Sequence, residues 1–331
     1  MDLSIIIVNW NSKDLLAKAL DAIVDQPPDL SHEIVVIDSG SFDGSAEMLS
    51  QHYPNVRFVQ SRANIGFARA NNAGVEHSCA PVLLFLNPDT QVAQGAIDRL
   101  YRALTSRSET AIVGARLLNS DGSLQETCVR ALPTLTNQLL DSDWLHHLAP
   151  NAQLWGQQVL SAGDDKIQPV AAVSGACLMM KRDVFRQVGG FSTDYFMYAE
   201  DMDLCLKTTR AGFDICHVPS AVVVHHGGGS SASSEAGKFS AVMALESQWR
   251  YFRKTQSRYY AAVYRTGMGV MSLLRITLLW PYHLMLGGGA LLWRRTPRQL
   301  SASGWSCSAA LAKWQARLRW SVGLEHWVRN Y

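Results

Sequence analysis

The sequence predicts an α/β fold: a Rossmann-like, mostly parallel, doubly wound central sheet with helices on both faces, followed by a helical C-terminal extension. Three observations predict it. Over residues 1–110, short apolar runs rich in β-branched residues alternate with stretches whose apolar residues recur at helical spacing. Those strand-like runs are continuously apolar, as strands covered on both faces are. The charge is also split. The net charge is only +2, yet from Arg250 to Tyr331 thirteen Lys/Arg stand against one acid, Glu325. That tail therefore carries +12 and residues 1–249 carry −10, which points to a basic extension that meets something anionic.

Taken in order, LSIIIVNW (3–10) reads as the first strand, followed by a helix over NSKDLLAKALDAIVDQ with Asn11 or Ser12 as its N-cap. HEIVVIDSGS (32–41) is a second strand ending near Asp38, DGSAEMLSQHY a helix, and VRFVQ (56–60) a third strand. NIGFARANNAGVEHS (64–78) turns into a helix, PVLLFLN (81–87) is the fourth strand, and AQGAIDRLYRALTS the next helix. Beyond residue 110 a hairpin is expected around Asp121-Gly122. Residues 131–168 are poorly periodic and read as an inserted loop. VAAVSGACLMMKR (170–182) reads as one strand, DVFRQVGGF as a short helix closed by Gly189-Gly190, and residues 200–213 as a helix opening on acids. DICHVPSAVVVHHGGGSS reads as two strands and a glycine-rich loop.

These elements suggest a domain over 1–235, with halves 1–110 and 111–235, and an extension over 236–331. A basic-ended helix is expected over 238–258. Residues 267–293 are mostly apolar, and Pro281 with Gly287-Gly288-Gly289 is expected to break any single helix there. Six of the ten tryptophans lie in the tail, at 280, 293, 305, 314, 320 and 327, among Lys and Arg. That mix favours interfacial attachment at the headgroup level; a core or oligomer helix and a spanning helix are the alternatives. The six cysteines show no C-x-x-C, so a thiolate metal site and a disulfide framework are both disfavoured. Residues 1–8 enter a strand at once with no basic n-region, so no signal peptide is expected.

In doubly wound sheets ligands bind beyond the carboxyl ends of the strands. Asn9, Asp38, Asn64 and Asp89 all fall at or just past such ends. Each alone suits a turn or cap; four on one edge indicate a site. In NPDT (87–90), Asn87 and Asp89 stand where a D-x-D pair would present two carboxylates. A hard cation needs only one or two carboxylates when diphosphate oxygens complete its shell. In YAEDMDL (198–204) a carboxylate crowded at a helix start can serve as a general base. His225 and His226 end a strand before flexible glycines and are candidate imidazole ligands.

Together, SIIIVNWN, EIVVIDSGSFDGS, NIGFARANNAG, LLFLNPDT, RLLNSDGSLQ, the long stretch from Val173 to Phe213, and AVVVHHGGGSS resemble the family-2 inverting glycosyltransferases of GT-A fold, and most closely their rhamnosyltransferase-like branch. The resemblance covers roughly residues 3–232. It implies that Val8, Asn9 and Asn11 line a nucleobase pocket, that Asp38 contacts base or ribose, and that Asn64, Gly66 and Asn71 wrap the nucleotide. Asn87 and Asp89 would take the D-x-D positions, with Asp89 and His225 (His226 in reserve) holding a divalent metal, Mn2+ or Mg2+. Asp201 would be the catalytic base, with Glu200 the second candidate. The implied partners are a nucleotide-diphosphate sugar donor, with dTDP-L-rhamnose the first choice, a lipid-linked glycan acceptor of cell-surface polysaccharide synthesis, and an anionic membrane surface on the cytoplasmic side. No nucleic acid is implied, and oligomerisation stays open. A nucleotidyltransferase would need a glycine- and basic-rich loop where NWNSKD stands, and an oxidoreductase G-x-G-x-x-G. A non-catalytic membrane scaffold, with Asn87 marking lost catalysis, is the rival of a different class.

Overall fold

The computed structural model describes residues 1–140, 166–227, 234–293 and 307–325. Most of the expected 131–168 insert, the glycine-rich run after Gly227, and Trp305 and Trp327 lie outside the described residues. The chain divides into two compact units, Met1–Ala232 and Ser233–Tyr331.

The first unit opens with β1 (Leu3–Asn9), α1 (Lys13–Val24), β2 (His32–Asp38), α2 (Ser45–His52), β3 (Arg57–Gln60), α3 (Phe67–Glu76) and β4 (Val82–Leu86). It continues with β5 (Thr90–Val92), α4 (Ala96–Thr105), β6 (Thr110–Leu118), β7 (Val129–Arg130), α5 (Leu135–Leu139), β8 (Gln168–Pro169), β9 (Ala172–Val173), β10 (Cys177–Lys181), α6 (Arg182–Gln187), α7 (Glu200–Arg210) and β11 (Asp214–His225). The main sheet runs β3-β2-β1-β4-β10-β6-β11-β5, with β8 also paired to β11. The first four strands are parallel, as the apolar runs require. β10 lies antiparallel between β4 and β6, and β5 is antiparallel to β11.

The apolar strands bury both faces. Leu3, Ile5 and Ile7 pack with Leu16, Leu20 and Ile23 of α1, while Val35 and Ile37 of β2 face Ala70 of α3. Leu16, Ala19, Leu20 and Ile23 are the i, i+3, i+4, i+7 positions of α1 and are fully buried. Each such large side chain contributes about 1.5–3 kcal/mol.

Three local expectations change. Residues 170–182 form two strands, because the chain leaves the β7–β9 ribbon at Ser174-Gly175-Ala176 and enters the main sheet as β10. The two strands expected after residue 213 are one, β11, whose register on β6 shifts between Val218 and Val222; Pro219 there has no N–H for the ladder, and a bulge absorbs it. Neither Asn11 nor Ser12 caps α1 by its side chain; Asp43 Oδ2 accepts the Lys13 N–H at 2.8 Å instead.

The second unit consists of α8 (Ser234–Thr255), α9 (Arg258–Trp293) and α10 (Cys307–Ser321). Pro281 and the three glycines do not break α9. An interior proline costs about 3 kcal/mol and a glycine about 1 kcal/mol, and the helix runs through both. Tyr251, Phe252, Tyr264 and Trp320 form an aromatic core. The interfacial role expected of the tryptophans fails for Trp314 and Trp320, which are buried; Trp320 Nε1 donates to Glu246 Oε2 at 3.1 Å. Among the described residues no helix is long and apolar enough to cross a membrane, so the spanning alternative for 267–293 fails.

Candidate active site

The carboxyl edge of β1 and β2 is tied together by two buried polar side chains. Asn9 and Asp38 are fully buried. Asn9 Nδ2 donates to Asp38 Oδ1 at 2.8 Å and to Ser45 Oγ at 3.0 Å. Asp38 Oδ2 accepts the Ser41 N–H at 2.8 Å and Gln60 Nε2 at 3.2 Å. These residues brace the loop after β2 from beneath. Asn11, at φ 47°, accepts the Phe42 N–H on its Oδ1 at 2.9 Å, which locks the loops after β1 and β2 to each other. Val8 is partly buried against the β2–α3 face. Two rings that the sequence reading passed over stand on this edge: Trp10 is 40% exposed and Phe42 86%. The signal for Phe42 was an apolar residue in the polar loop SGSFDGS; Trp10 was absorbed into the end of the first strand run.

Asn64 Oδ1 accepts the Gly66 N–H at 3.0 Å, forming a turn ahead of α3. Gly66 has φ 79°, and a Cβ there would lie 2.6 Å from the Phe196 carbonyl oxygen. The Phe67 N–H donates to that same oxygen at 2.9 Å. α3 thus clasps the segment that leads into α7. Asn71 is buried and bonds only within its own helix, to the Phe67 carbonyl at 3.0 Å. Its neighbour Asn72 makes the cross-link, exchanging two hydrogen bonds with the Phe191 backbone at 2.8 and 3.0 Å.

The NPDT turn is held on three sides. The Asn87 N–H donates to the Ala176 carbonyl at 3.0 Å, the Thr90 hydroxyl donates to the Asn87 carbonyl at 2.7 Å, and the His226 N–H donates to the Asp89 carbonyl at 2.9 Å. Antiparallel pairing sets Thr90 opposite His225, and this register brings His225 Nε2 to 3.2 Å from Asp89 Oδ1. Asn87 Nδ2 lies 3.4 Å from the same nitrogen, and Asn87 Oδ1 is buried without a partner.

The orientation of the His225 ring follows from a chain of hydrogen bonds. Bonds from Ser123 hold the Asp121 carboxyl below its ordinary range, so it only accepts. It takes the Ser123 hydroxyl at 2.6 Å; Ser123 Oγ accepts Asn119 Nδ2 at 2.9 Å; and Asn119 Oδ1 accepts Gln125 Nε2 at 3.1 Å. Gln125 Oε1 is thereby turned to His225 Nδ1, at 2.7 Å. An amide oxygen accepts, so Nδ1 carries the proton and Nε2 faces Asp89. Both ring nitrogens of His226 have other partners: its Nδ1 meets Ser120 Oγ and its Nε2 meets Gln91 Oε1, both at 2.8 Å. Gln125 is the candidate site residue that sequence reasoning missed, although it closes the quoted stretch RLLNSDGSLQ.

A divalent cation fits this place. One carboxylate and one imidazole nitrogen meet there, beside the Asn87 amide, whose Oδ1 is buried without a partner among the described residues. Among the described residues no group of three or more His, Cys, Asp or Glu comes together. The protein would supply few ligands and a diphosphate the rest, as Mg2+ and Mn2+ sites on nucleotide phosphates commonly do.

Glu200 and Asp201 open α7 behind two consecutive left-handed residues, Tyr198 (φ 69°) and Ala199 (φ 67°). Such backbone is costly for residues with a Cβ and persists where the surroundings enforce it. Asp201 Oδ2 accepts the Gly175 N–H at 3.0 Å and Oδ1 the Met202 N–H at 2.8 Å. Gly175 adjoins Ala176, whose carbonyl holds Asn87, so one short loop joins the candidate base to the candidate metal turn. Glu200 is 6% exposed, its Oε2 has no partner, and burial with the adjacent Asp201 charge pushes its carboxyl up to about 8. Asp203 is bound to Ser192 and to Lys207, a structural arrangement.

Residues 4–189 match the family described as Glycosyl transferase family 2, and residues 152–326 match Glycosyl transferase family group 2. The N-acetylglucosaminyl-diphospho-decaprenol L-rhamnosyltransferase of Mycobacterium tuberculosis is 32% identical over 207 residues, 58% of this chain and 66% of that protein. The match therefore leaves about a third of that relative's length uncovered. The rhamnosyltransferase WbbL of Escherichia coli is 24% identical over 260 residues, 76% of this chain and 92% of the relative. A solved structure of the mannosyltransferase PcManGT from Pyrobaculum calidifontis, in complex with GDP-Man and Mn2+, superposes with a TM-score of 0.58 at 16% identity, covering 97% of this chain and 86% of that one. That likeness is one of fold, and the fold is GT-A.

Proposed function

The chain belongs to glycosyl transferase family 2, and from that premise we propose that it is an inverting, metal-dependent glycosyltransferase that moves L-rhamnose from dTDP-L-rhamnose to a lipid-linked glycan at a membrane surface. The observation that carries the reading is the Gly175–Ala176 loop, which holds Asp201 with one residue and the NPDT turn with the next. A base for the acceptor and a place for the donor diphosphate thus share one rigid support. The names of the mycobacterial and E. coli relatives support rhamnose, and the former supports a prenyl-diphosphate-linked acceptor.

In this account the exposed rings of Trp10 and Phe42 offer flat faces to a nucleobase, above the bracing of Asn9, Asn11 and Asp38. Asp89 and His225 Nε2 would hold Mn2+ or Mg2+, with Asn87 adjoining them; the cation would supply charge neutralisation for the departing diphosphate. Asp201 accepts the proton of the acceptor hydroxyl as its oxygen attacks the anomeric carbon from the face opposite the nucleotide. The C–O bond to the diphosphate breaks, and the configuration inverts. Glu200, neutral below about pH 8 and buried, keeps a second negative charge away from Asp201.

The test is transfer itself. The full chain is incubated with dTDP-L-rhamnose, Mn2+ and a short prenyl-diphospho-N-acetylglucosamine. Acceptor-dependent release of dTDP with an inverted product is expected. Absence of release from any nucleotide sugar tried would replace this reading with that of a non-catalytic scaffold.

A further inference from the structure

In the second unit, one face of α9 is uncovered. Tyr259, Val263, Val270, Leu273, Leu274 and Leu278 are 70, 54, 54, 53, 52 and 75% exposed. At 3.6 residues per turn they fall on one side of the helix, together with Ala262, Thr266 and Thr277. No charged residue interrupts this stripe, which is about 29 Å long at 1.5 Å per residue. The Thr277 hydroxyl donates to the carbonyls of Leu273 and Leu274 in its own helix, at 3.1 and 2.8 Å. The arginines of the same stretch are engaged away from the stripe. Arg265 bonds the Trp320 and Ser321 carbonyls and stacks over the Trp320 ring, and Arg275 lies 4.1 Å from the centre of the Trp314 ring. The opposite side of α9 buries Ala261, Tyr264, Met268 and Ser272. An uncharged apolar surface of this length on a soluble face marks a contact.

Charge decides which contact. Residues 250–331 carry thirteen Lys/Arg against Glu325 alone. A second copy on this stripe would bring two such segments together, like charge against like. An anionic bilayer offers the opposite: acyl chains for the stripe and a negative surface potential for a segment that carries +12. Among the described residues no helix is long and apolar enough to cross a membrane, so a helix packed on one side and apolar on the other would lie in the interface.

We propose that α9 docks the protein on an anionic lipid surface, with the Tyr259–Leu278 stripe at the acyl boundary. This stands apart from the transfer reading, because lipid binding is measured without nucleotide or acceptor. The full chain is sedimented with phosphatidylcholine vesicles, with and without about 30 mol% phosphatidylglycerol, at about 0.15 M salt. Binding to the anionic vesicles is expected, with at least about tenfold weaker binding to neutral ones. Val270→Asp with Leu274→Asp is expected to lower anionic-vesicle binding about tenfold or more, with circular dichroism unchanged. Val270→Ser with Leu274→Ser, which adds no charge, is expected to lower it as well, and answers the question should the aspartates disturb folding. Absence of binding by the unsubstituted chain would overturn the proposal, as would unchanged binding by the serine variant. A dimer that these substitutions dissociate, in a chain that ignores vesicles, would assign the stripe to a second copy instead.

Discussion

Burial and the neighbouring Asp201 charge push the Glu200 carboxyl up to about 8 from its ordinary 4.5. The folded chain therefore keeps a proton that the unfolded chain releases above about pH 4.5, and stability falls as pH rises through the window from 4.5 to about 8. Glu200→Gln preserves the neutral form and removes that slope. In denaturant titrations the variant should gain on the parent chain between about pH 5.5 and about pH 8.5, and an identical pH profile would show that Glu200 is ionised in the fold. Transfer should survive in this variant. In Asp201→Asn it should fall by about 10²–10⁴, with donor affinity kept within about threefold; undiminished transfer would remove Asp201 as base. Gln125 bridges Asn119 and His225 Nδ1. Gln125→Leu leaves Nδ1 without its acceptor, and Mn2+-dependent dTDP binding should weaken about tenfold or more in calorimetry. Equal affinity would mean that the ring is oriented by something else.

Gly66 joins two elements, because only a residue without Cβ fits at φ 79° against the Phe196 carbonyl. Gly66→Ala should cost at least about 1 kcal/mol in chemical unfolding, and an unchanged midpoint would show that the clasp between α3 and the Phe196 segment yields freely. At this scale the sequence was readable where chemistry is local. Three of the four parallel strands, β1, β2 and β4, show as continuous apolar runs, the edge strand β3 only as Phe58-Val59, α1 as an i, i+3, i+4, i+7 pattern, and the turn at Asp121-Gly122 as its own dipeptide. What escaped depends on partners distant in sequence. The split of 170–182 is set by β7 and β6 competing for the chain, and the bulge at Pro219 by the register on β6. The continuity of α9 past Pro281 defeats a local propensity rule. Gln125 carries no signal of type or spacing, and its role exists only because His225 lies beside it after folding. The same pairing separated His225 from His226, which the sequence could not do.

Over the whole chain, the charge split follows the division into units: an acidic sheet domain that carries the candidate site, and a basic helical unit that carries the apolar stripe. A cut at residue 256 would strip α8 of the partners that bury Tyr251 and Phe252, whereas Met1–Ala232 is compact and has its own core. A fragment ending at Ala232 should fold and bind dTDP within about threefold of the full chain. Failure to fold would make the helical unit part of the catalytic domain's core. The central claim is that Asp89 and His225, with Asn87 in place of a second acid, still form a working donor site. It is tested most directly by calorimetric titration of the full chain with dTDP, UDP and GDP, each with Mn2+ and with EDTA, alongside Asp89→Ala. The account predicts that dTDP binds only with the metal and that Asp89→Ala abolishes this binding. Binding of none of the three nucleotides, or equal binding in EDTA, would contradict it.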